Sequence, residues 1–158
     1  ETYPPGLPAE EVPGYLAVLK SEAYPHALGV GDILITADTV VICGGRIFGK
    51  PDGREGAAAM LAELSGRRHT VVTGGALRAP GRMRSFSVSS DVWFRPLAEE
   101  EIAYYVDTFR PYDKAGSYGI QEWIGYVAIE RIEGSFYNVM GLPMQALYAE
   151  LGSFVDTL

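Results

Sequence analysis

Apolar and polar positions follow two different periods along this chain, and the switches between them delimit its elements. The longest apolar run spans residues 33–42, Ile-Leu-Ile-Thr-Ala-Asp-Thr-Val-Val-Ile. Its β-branched content predicts a buried central strand. Gly44-Gly45 predicts a two-residue hairpin turn, with Arg46–Phe48 returning alongside. Upstream, Pro8-Ala9-Glu10-Glu11 opens a helix expected to reach about His26. Val12, Leu16 and Leu19 or Lys20 follow helical spacing, and Pro13 must fall in the first turn. After Pro51, Asp52-Gly-Arg-Glu55 has capping-box spacing and leads into a helix over residues 57–64, which Ser65-Gly66 ends. Residues 70–77 and 85–94 predict an antiparallel hairpin, with Phe86, Val88, Val92 and Phe94 on one face. Residues 97–109 read as an amphipathic helix, acidic at its start, although Ala98 is a poor N-cap. Residues 111–121 read as a loop, 124–132 as a strand turned by Gly134-Ser135, and 141–155 as a last helix beginning at Gly141-Leu142-Pro143. Strands and helices interleave, so the fold class expected is α/β, a mixed twisted sheet with flanking helices.

Composition narrows the class. A chain of 158 residues fits one domain over its whole length and buries roughly two thirds of its unfolded surface. Hydrophobic content of 47% and charged content of 21% are those of an ordinary globule. No apolar run approaches the ~20 residues of a membrane helix, and no signal-peptide pattern is present. The chain opens at Glu1 without Met, so an upstream segment is expected. The single cysteine, Cys43, excludes an internal disulfide, fits a reducing cytoplasm and reads as core packing. A net charge of −7 argues against a nucleic-acid footprint. Ten Arg but only three Lys are present. A small anion can still bind if Lys20, Lys50 and Lys114 converge locally.

An aspartate inside the apolar run needs an explanation, because an ionised carboxylate out of water costs several kcal/mol unless cations or donors meet it. Asp38 is therefore either a strand residue that lies at a sheet edge or is bonded to main-chain donors, or a metal ligand or general base with the Thr39 hydroxyl beside it. Lys50 is either a solvated turn residue or a phosphate clamp, and Lys20 carries the same ambiguity. In 113–121, Asp-Lys-Ala-Gly-Ser-Tyr-Gly-Ile-Gln, small residues let backbone N–H groups approach a ligand, and Gln121 offers a paired donor and acceptor. The glycine spacing is neither that of a Walker A loop nor that of a dinucleotide fingerprint. His26 and His69 lack partners at zinc-ligand spacing, and there is no nucleophile elbow. Arg78, Arg82 and Arg84 fall near the hairpin tip and read as solvated surface.

Considered together, these segments resemble the Maf family of nucleoside triphosphate pyrophosphatases. The matching pieces are Ala37-Asp-Thr-Val-Val41, Gly49-Lys-Pro51, Met60-Leu61 through Leu64-Ser65-Gly66 with His69 and Thr73-Gly74, the 113–121 run, and Gly134-Ser135 with Val139-Met-Gly-Leu-Pro143. The resemblance implies an elongated, two-lobed fold related to inosine-triphosphatase-like enzymes, with a central cleft. It implies cleavage of a nucleoside triphosphate between its α and β phosphates with a divalent metal (Mg2+, Mn2+ or Co2+). On this sequence, Asp38 would accept the proton of the attacking water and share metal binding with Glu1. Lys20 and Lys50 would hold the triphosphate, Thr39 and Gln121 would help select the base, and Lys114 would contact substrate. The intact 113–121 run resembles the branch acting on dTTP and UTP. A regulatory protein linked to septum formation, without turnover, and a purine-directed house-cleaning enzyme are the alternatives. A cytoplasmic homodimer is what the family suggests. The family's opening Ser-x-Ser-Pro-Arg-Arg loop has no counterpart here, and it is expected to lie upstream of Glu1.

Overall fold

The computed structural model describes residues 2–158. A 3-10 turn, Ala9–Glu11, precedes helix α1, Val12–Glu22, and Pro13 sits in the first turn, where its missing N–H has no partner to lose. The helix ends at Glu22, short of His26, because Tyr24 precedes Pro25 and that residue is steered away from helical geometry. Strand β1, Leu34–Cys43, turns through Gly44 and Gly45 into β2, Arg46–Phe48. Both glycines have positive φ (59° and 75°), as a two-residue hairpin matched to strand twist requires. Helix α2, Gly53–Leu64, follows Asp52, whose side chain makes no cap hydrogen bond, so the expected capping box does not form.

Strands β3, Arg68–Ala79, and β4, Arg82–Phe94, form the long hairpin expected from their alternation. Helix α3, Glu99–Phe109, begins after Ala98; with no side-chain acceptor at that position, the Glu101 carboxylate accepts from the Ala98 N–H at 2.9 Å instead. The segment expected as a strand over 124–132 divides into helix α4, Trp123–Ala128, and strand β5, Ile129–Glu133. Gly125 permits the helical turn, since a Cβ there would overlap the carbonyl of Ile120. Ser135 does more than turn the chain: its Oγ accepts from the Asn138 N–H and caps a short helix, α5, Phe136–Met140. Helix α6, Met144–Asp156, starts after Pro143 and closes the chain. No helix among the described residues is long and apolar enough to cross a membrane.

The sheet has the order β2-β1-β3-β4-β5 and every pairing in it is antiparallel, so the α/β class holds with an antiparallel sheet. Side-chain alternation divides the core between its faces. On one face Val41, Val71, Val92 and Phe94 pack with α2 and α3. Further along the same face Leu77 and Phe86 meet Leu147 and Phe154 of α6. On the other face Val40, Ile42 and Val72 receive Val12 and Leu16 of α1. Gly74 makes that contact close: a Cβ on it would overlap the backbone of Pro13 and Gly14. Cys43 is buried in the core, as expected. The three arginines expected as solvated surface are half-buried struts. Arg78 donates to Ser21 at the end of α1, Arg82 lies over the Phe154 ring, and Arg84 meets Ser153 and Glu150 of α6.

Candidate active site

The cleft arises from a mismatch of strand lengths. β2 pairs only with Val41 to Cys43 of β1, so the preceding residues of β1 pair with β3 on one side and leave the opposite edge unpaired within the sheet. A cleft of about 780 Å³ opens along this edge. Adjacent strand residues point to opposite faces, yet a groove that straddles an edge receives both. Asp38 enters it from the α1 face and Thr39 from the opposite one.

Asp38 lies opposite Gly74 in the register, beneath α1. Lys20, in the last turn of that helix, donates to Asp38 Oδ1 at 2.6 Å and approaches the Ala37 carbonyl at 3.5 Å. The carboxylate side chain is 10% exposed and the lysine 38%, so the pair is set into the wall with the ammonium toward solvent. The Thr36 hydroxyl donates to the Ala17 carbonyl at 2.6 Å and fixes α1 along the same strand. Asp38 thus lies at the open edge of β1 with the Lys20 ammonium against its carboxylate.

The remaining walls come from the hairpin end, the 113–121 loop and α5. Lys50 follows β2 into the cleft. The loop is latched to it, because the Gly116 N–H donates to the Gly49 carbonyl at 3.1 Å. Only glycine fits that latch: φ is +68°, and a Cβ would lie 2.8 Å from the Val41 side chain. Lys114 and Gln121 line the cleft from this loop. Asp113 lines it too. The hydrogen bond from Lys114 holds its carboxyl below the ordinary aspartate range, with a further contribution from Lys50. Deeper in, Tyr118 meets His69 Nε2 at 2.6 Å, and burial pushes the phenol up and the imidazole down to about 4. From α5, Val139, Met140 and Gly141 complete the wall.

All six of the expected residues from 20 to 121 therefore meet in one cleft: Lys20, Asp38, Thr39, Lys50, Lys114 and Gln121. Glu1, expected as a metal ligand, lies outside the described residues. Sequence reasoning missed Asp113 as a lining residue, and it missed α5 altogether. The signal for α5 was present in the Ser135-x-x-Asn138 spacing of an N-cap. Among the described residues no group of three or more His, Cys, Asp or Glu could hold a metal ion by itself. Two aspartates, Asp38 and Asp113, line the cleft, and magnesium-type ions take one or two carboxylates and complete their shell from substrate and water.

In this α/β protein, three ammonium groups and two carboxylates gather in a cleft around an open strand edge. The chain belongs to the Maf-like protein family, which it matches over residues 1–154. It is 60% identical over 159 residues to a dTTP/UTP pyrophosphatase of Porphyromonas gingivalis, covering 99% of this chain and 80% of that protein. A dTTP/UTP pyrophosphatase of Bacteroides thetaiotaomicron is 53% identical over 151 residues, covering 96% and 78%. One of Christiangramia forsetii is 41% identical over 157 residues, covering 99% and 80%. The family expected from the motifs is the family found.

Proposed function

We propose that this chain hydrolyses dTTP and UTP to the nucleoside monophosphate and pyrophosphate. The observation that carries the proposal is the Lys20–Asp38 pair, set into a cleft that Lys50, Lys114 and Gln121 also line. The names of the relatives support the substrates. In this reading the lysines bind the triphosphate, because an acidic protein of net charge −7 needs local cations to receive a tetra-anion. Asp38 takes a proton from water as its oxygen bonds to the α-phosphorus. The bond from that phosphorus to the bridging oxygen breaks, and pyrophosphate leaves against ammonium charge. Lys20 holds the carboxylate in place for that transfer. Thr39 and Gln121 offer neutral polar contacts suited to a base. A divalent cation (Mg2+, Mn2+ or Co2+) would be held by Asp38 and would supply charge neutralisation at the phosphates. The lone Cys43 is in keeping with a reducing, cytoplasmic setting.

The test is release of pyrophosphate from UTP, dTTP, ITP and 7-methyl-GTP by the purified chain with Mg2+, alongside Asp38→Asn and an EDTA-treated sample. Turnover of UTP and dTTP that both treatments abolish is the expected result. Binding of UTP without release of pyrophosphate would favour a regulatory protein, and preference for ITP a purine-directed enzyme. Full turnover in Asp38→Asn would remove Asp38 from its role.

A further inference from the structure

Behind the 113–121 loop, one buried hydroxyl holds the turn that carries Gln121. Tyr105, in the middle of α3, is fully buried and stacks on Phe109 with ring centroids 5.2 Å apart. Its hydroxyl lies 2.6 Å from Glu122 Oε1 and 3.0 Å from the Gly119 nitrogen. The Glu122 N–H donates to the Gly119 carbonyl at 3.0 Å and closes a turn, with Ile120 and Gln121 between. Ile120 packs into the core and Gln121 lines the cleft. A Cβ on Gly119 would lie 2.8 Å from Glu122 Oε1, so glycine lets that carboxylate fold back over the turn.

Both partners of this hydroxyl have fixed roles. A carboxylate can only accept and a backbone N–H can only donate, so the phenol proton goes to Glu122 and an oxygen lone pair receives the Gly119 N–H. Burial, reinforced by the bond to Glu122, pushes the phenol above its ordinary pKa and keeps that proton on the oxygen. One side chain of α3 thus grips both ends of the turn. Tyr105 and Glu122 do not themselves line the cleft, whereas Gly119 and Gln121 do. Whatever Tyr105 does to a ligand must pass through the turn.

We propose that Tyr105 is a positioning residue for substrate binding: by holding Gly119 and Glu122 together against α3, its hydroxyl sets where Gln121 stands in the cleft. The inference rests on the nucleotide reading above, in which the Gln121 amide contacts the base. An amide presents a donor and an acceptor side by side, and it can match a ring edge only from a fixed backbone position. Lys20 and Asp38, the groups given to the chemical step, stand on α1 and β1, which this turn does not carry. Loosening the turn therefore weakens binding and leaves the chemical step as it was.

The test measures kcat and KM for UTP, by pyrophosphate release, in the wild type, Tyr105→Phe, Gln121→Ala and the double variant. Phenylalanine keeps the ring and its stacking and removes only the hydroxyl. KM should rise about tenfold in Tyr105→Phe while kcat stays within about twofold. In the Gln121→Ala background the same change should raise KM less than about twofold, because the side chain it positions is gone. An unchanged KM in Tyr105→Phe, a tenfold fall in kcat, or the full rise in KM repeated without Gln121 overturns the proposal. If Tyr105→Phe does not fold, Glu122→Ala removes one of the two anchors and should raise KM about threefold; an unchanged KM there overturns the proposal as well. If the wild type releases no pyrophosphate at all, the proposed function fails by itself. Calorimetric binding of UMP to the same proteins then decides: about tenfold weaker binding in Tyr105→Phe supports the role of Tyr105, and no affinity in the wild type, or an unchanged affinity in Tyr105→Phe, overturns it.

Discussion

Lys20 places its ammonium 2.6 Å from the Asp38 carboxylate, joining the last turn of α1 to the middle of β1 across 18 residues of sequence. The pair exists because α1 lies unusually close to the sheet. Gly74, the register partner of Asp38, has no side chain to hold the helix off, and Thr36 and Arg78 bind the helix backbone on either side. An acid placed beneath a helix is a liability unless a cation meets it, and Lys20 is placed to do so.

Lys20→Met keeps the aliphatic stem and removes the charge. Release of pyrophosphate from UTP should fall about 100-fold, the usual effect of removing one preorganised cationic or donor group from a reacting centre. Folding should weaken as well, because the Asp38 carboxylate, only 10% exposed, is left without that ammonium. Urea titration and a steady-state assay separate the two effects. A variant that folds and turns over like the wild type contradicts the role given to Lys20.

Gly74→Ala should be among the most damaging single-methyl changes in the chain. Its Cβ would overlap backbone atoms of Pro13 and Gly14, which cannot rotate away, so α1 must lift. The expected cost is about 3 kcal/mol, at the upper end of overpacking, read as a lower urea midpoint. Gly152→Ala, inside α6 with nothing within 4 Å, is the matched control and should stabilise by about 0.5–1 kcal/mol.

Arg78→Met should loosen the end of α1. The guanidinium donates to the Ser21 carbonyl at 2.8 Å and to its Oγ at 3.1 Å, meeting a helix terminus with the charge its dipole prefers. A loss of about 1–2 kcal/mol in melting experiments is expected for the two hydrogen bonds. KM for UTP should rise with it, since Lys20 sits in the same turn. An unchanged KM would show that the helix end needs no such anchor.

The parts of the cleft were legible as candidates from local signals, and the family resemblance is what gathered them into one site. An aspartate in an oily strand, a Gly-Gly hairpin and a lysine after it can each be read from neighbouring residues alone. The unread features depend on distant contacts. Trp123-Ile-Gly-Tyr-Val-Ala looks like strand by composition, yet it winds into α4, where Gly125 fits over Ile120. The arginines of the β3–β4 hairpin look solvated until α1 and α6 arrive against them. Asn138 looks like an ordinary turn residue, and only the fold reveals that β3 and β4 supply its acceptors. Helix propensity and alternation are weak priors where tertiary packing decides.

His69 provides a stability prediction with a defined pH window. The ring is buried, its Nε2 is engaged by Tyr118, and its Nδ1 has no partner among the described residues. Burial therefore lowers its pKa from 6.5 to about 4, against a small opposing pull from Asp91. Between those values the unfolded chain holds the proton and the folded one does not, so stability falls as pH falls from 6.5 toward 4 and is complete above 6.5. The loss amounts to about 3 kcal/mol. Glu101 acts lower: Arg95 holds it at about 2, so its contribution is lost only as pH falls below its ordinary 4.5. Chemical denaturation between pH 6.5 and 4.5 thus isolates the histidine. Replacing both His69 and Tyr118 by Phe keeps rings against Phe94 without leaving a buried hydroxyl unpaired. That double variant should lose the slope across this window, and a slope that persists would assign it to another group.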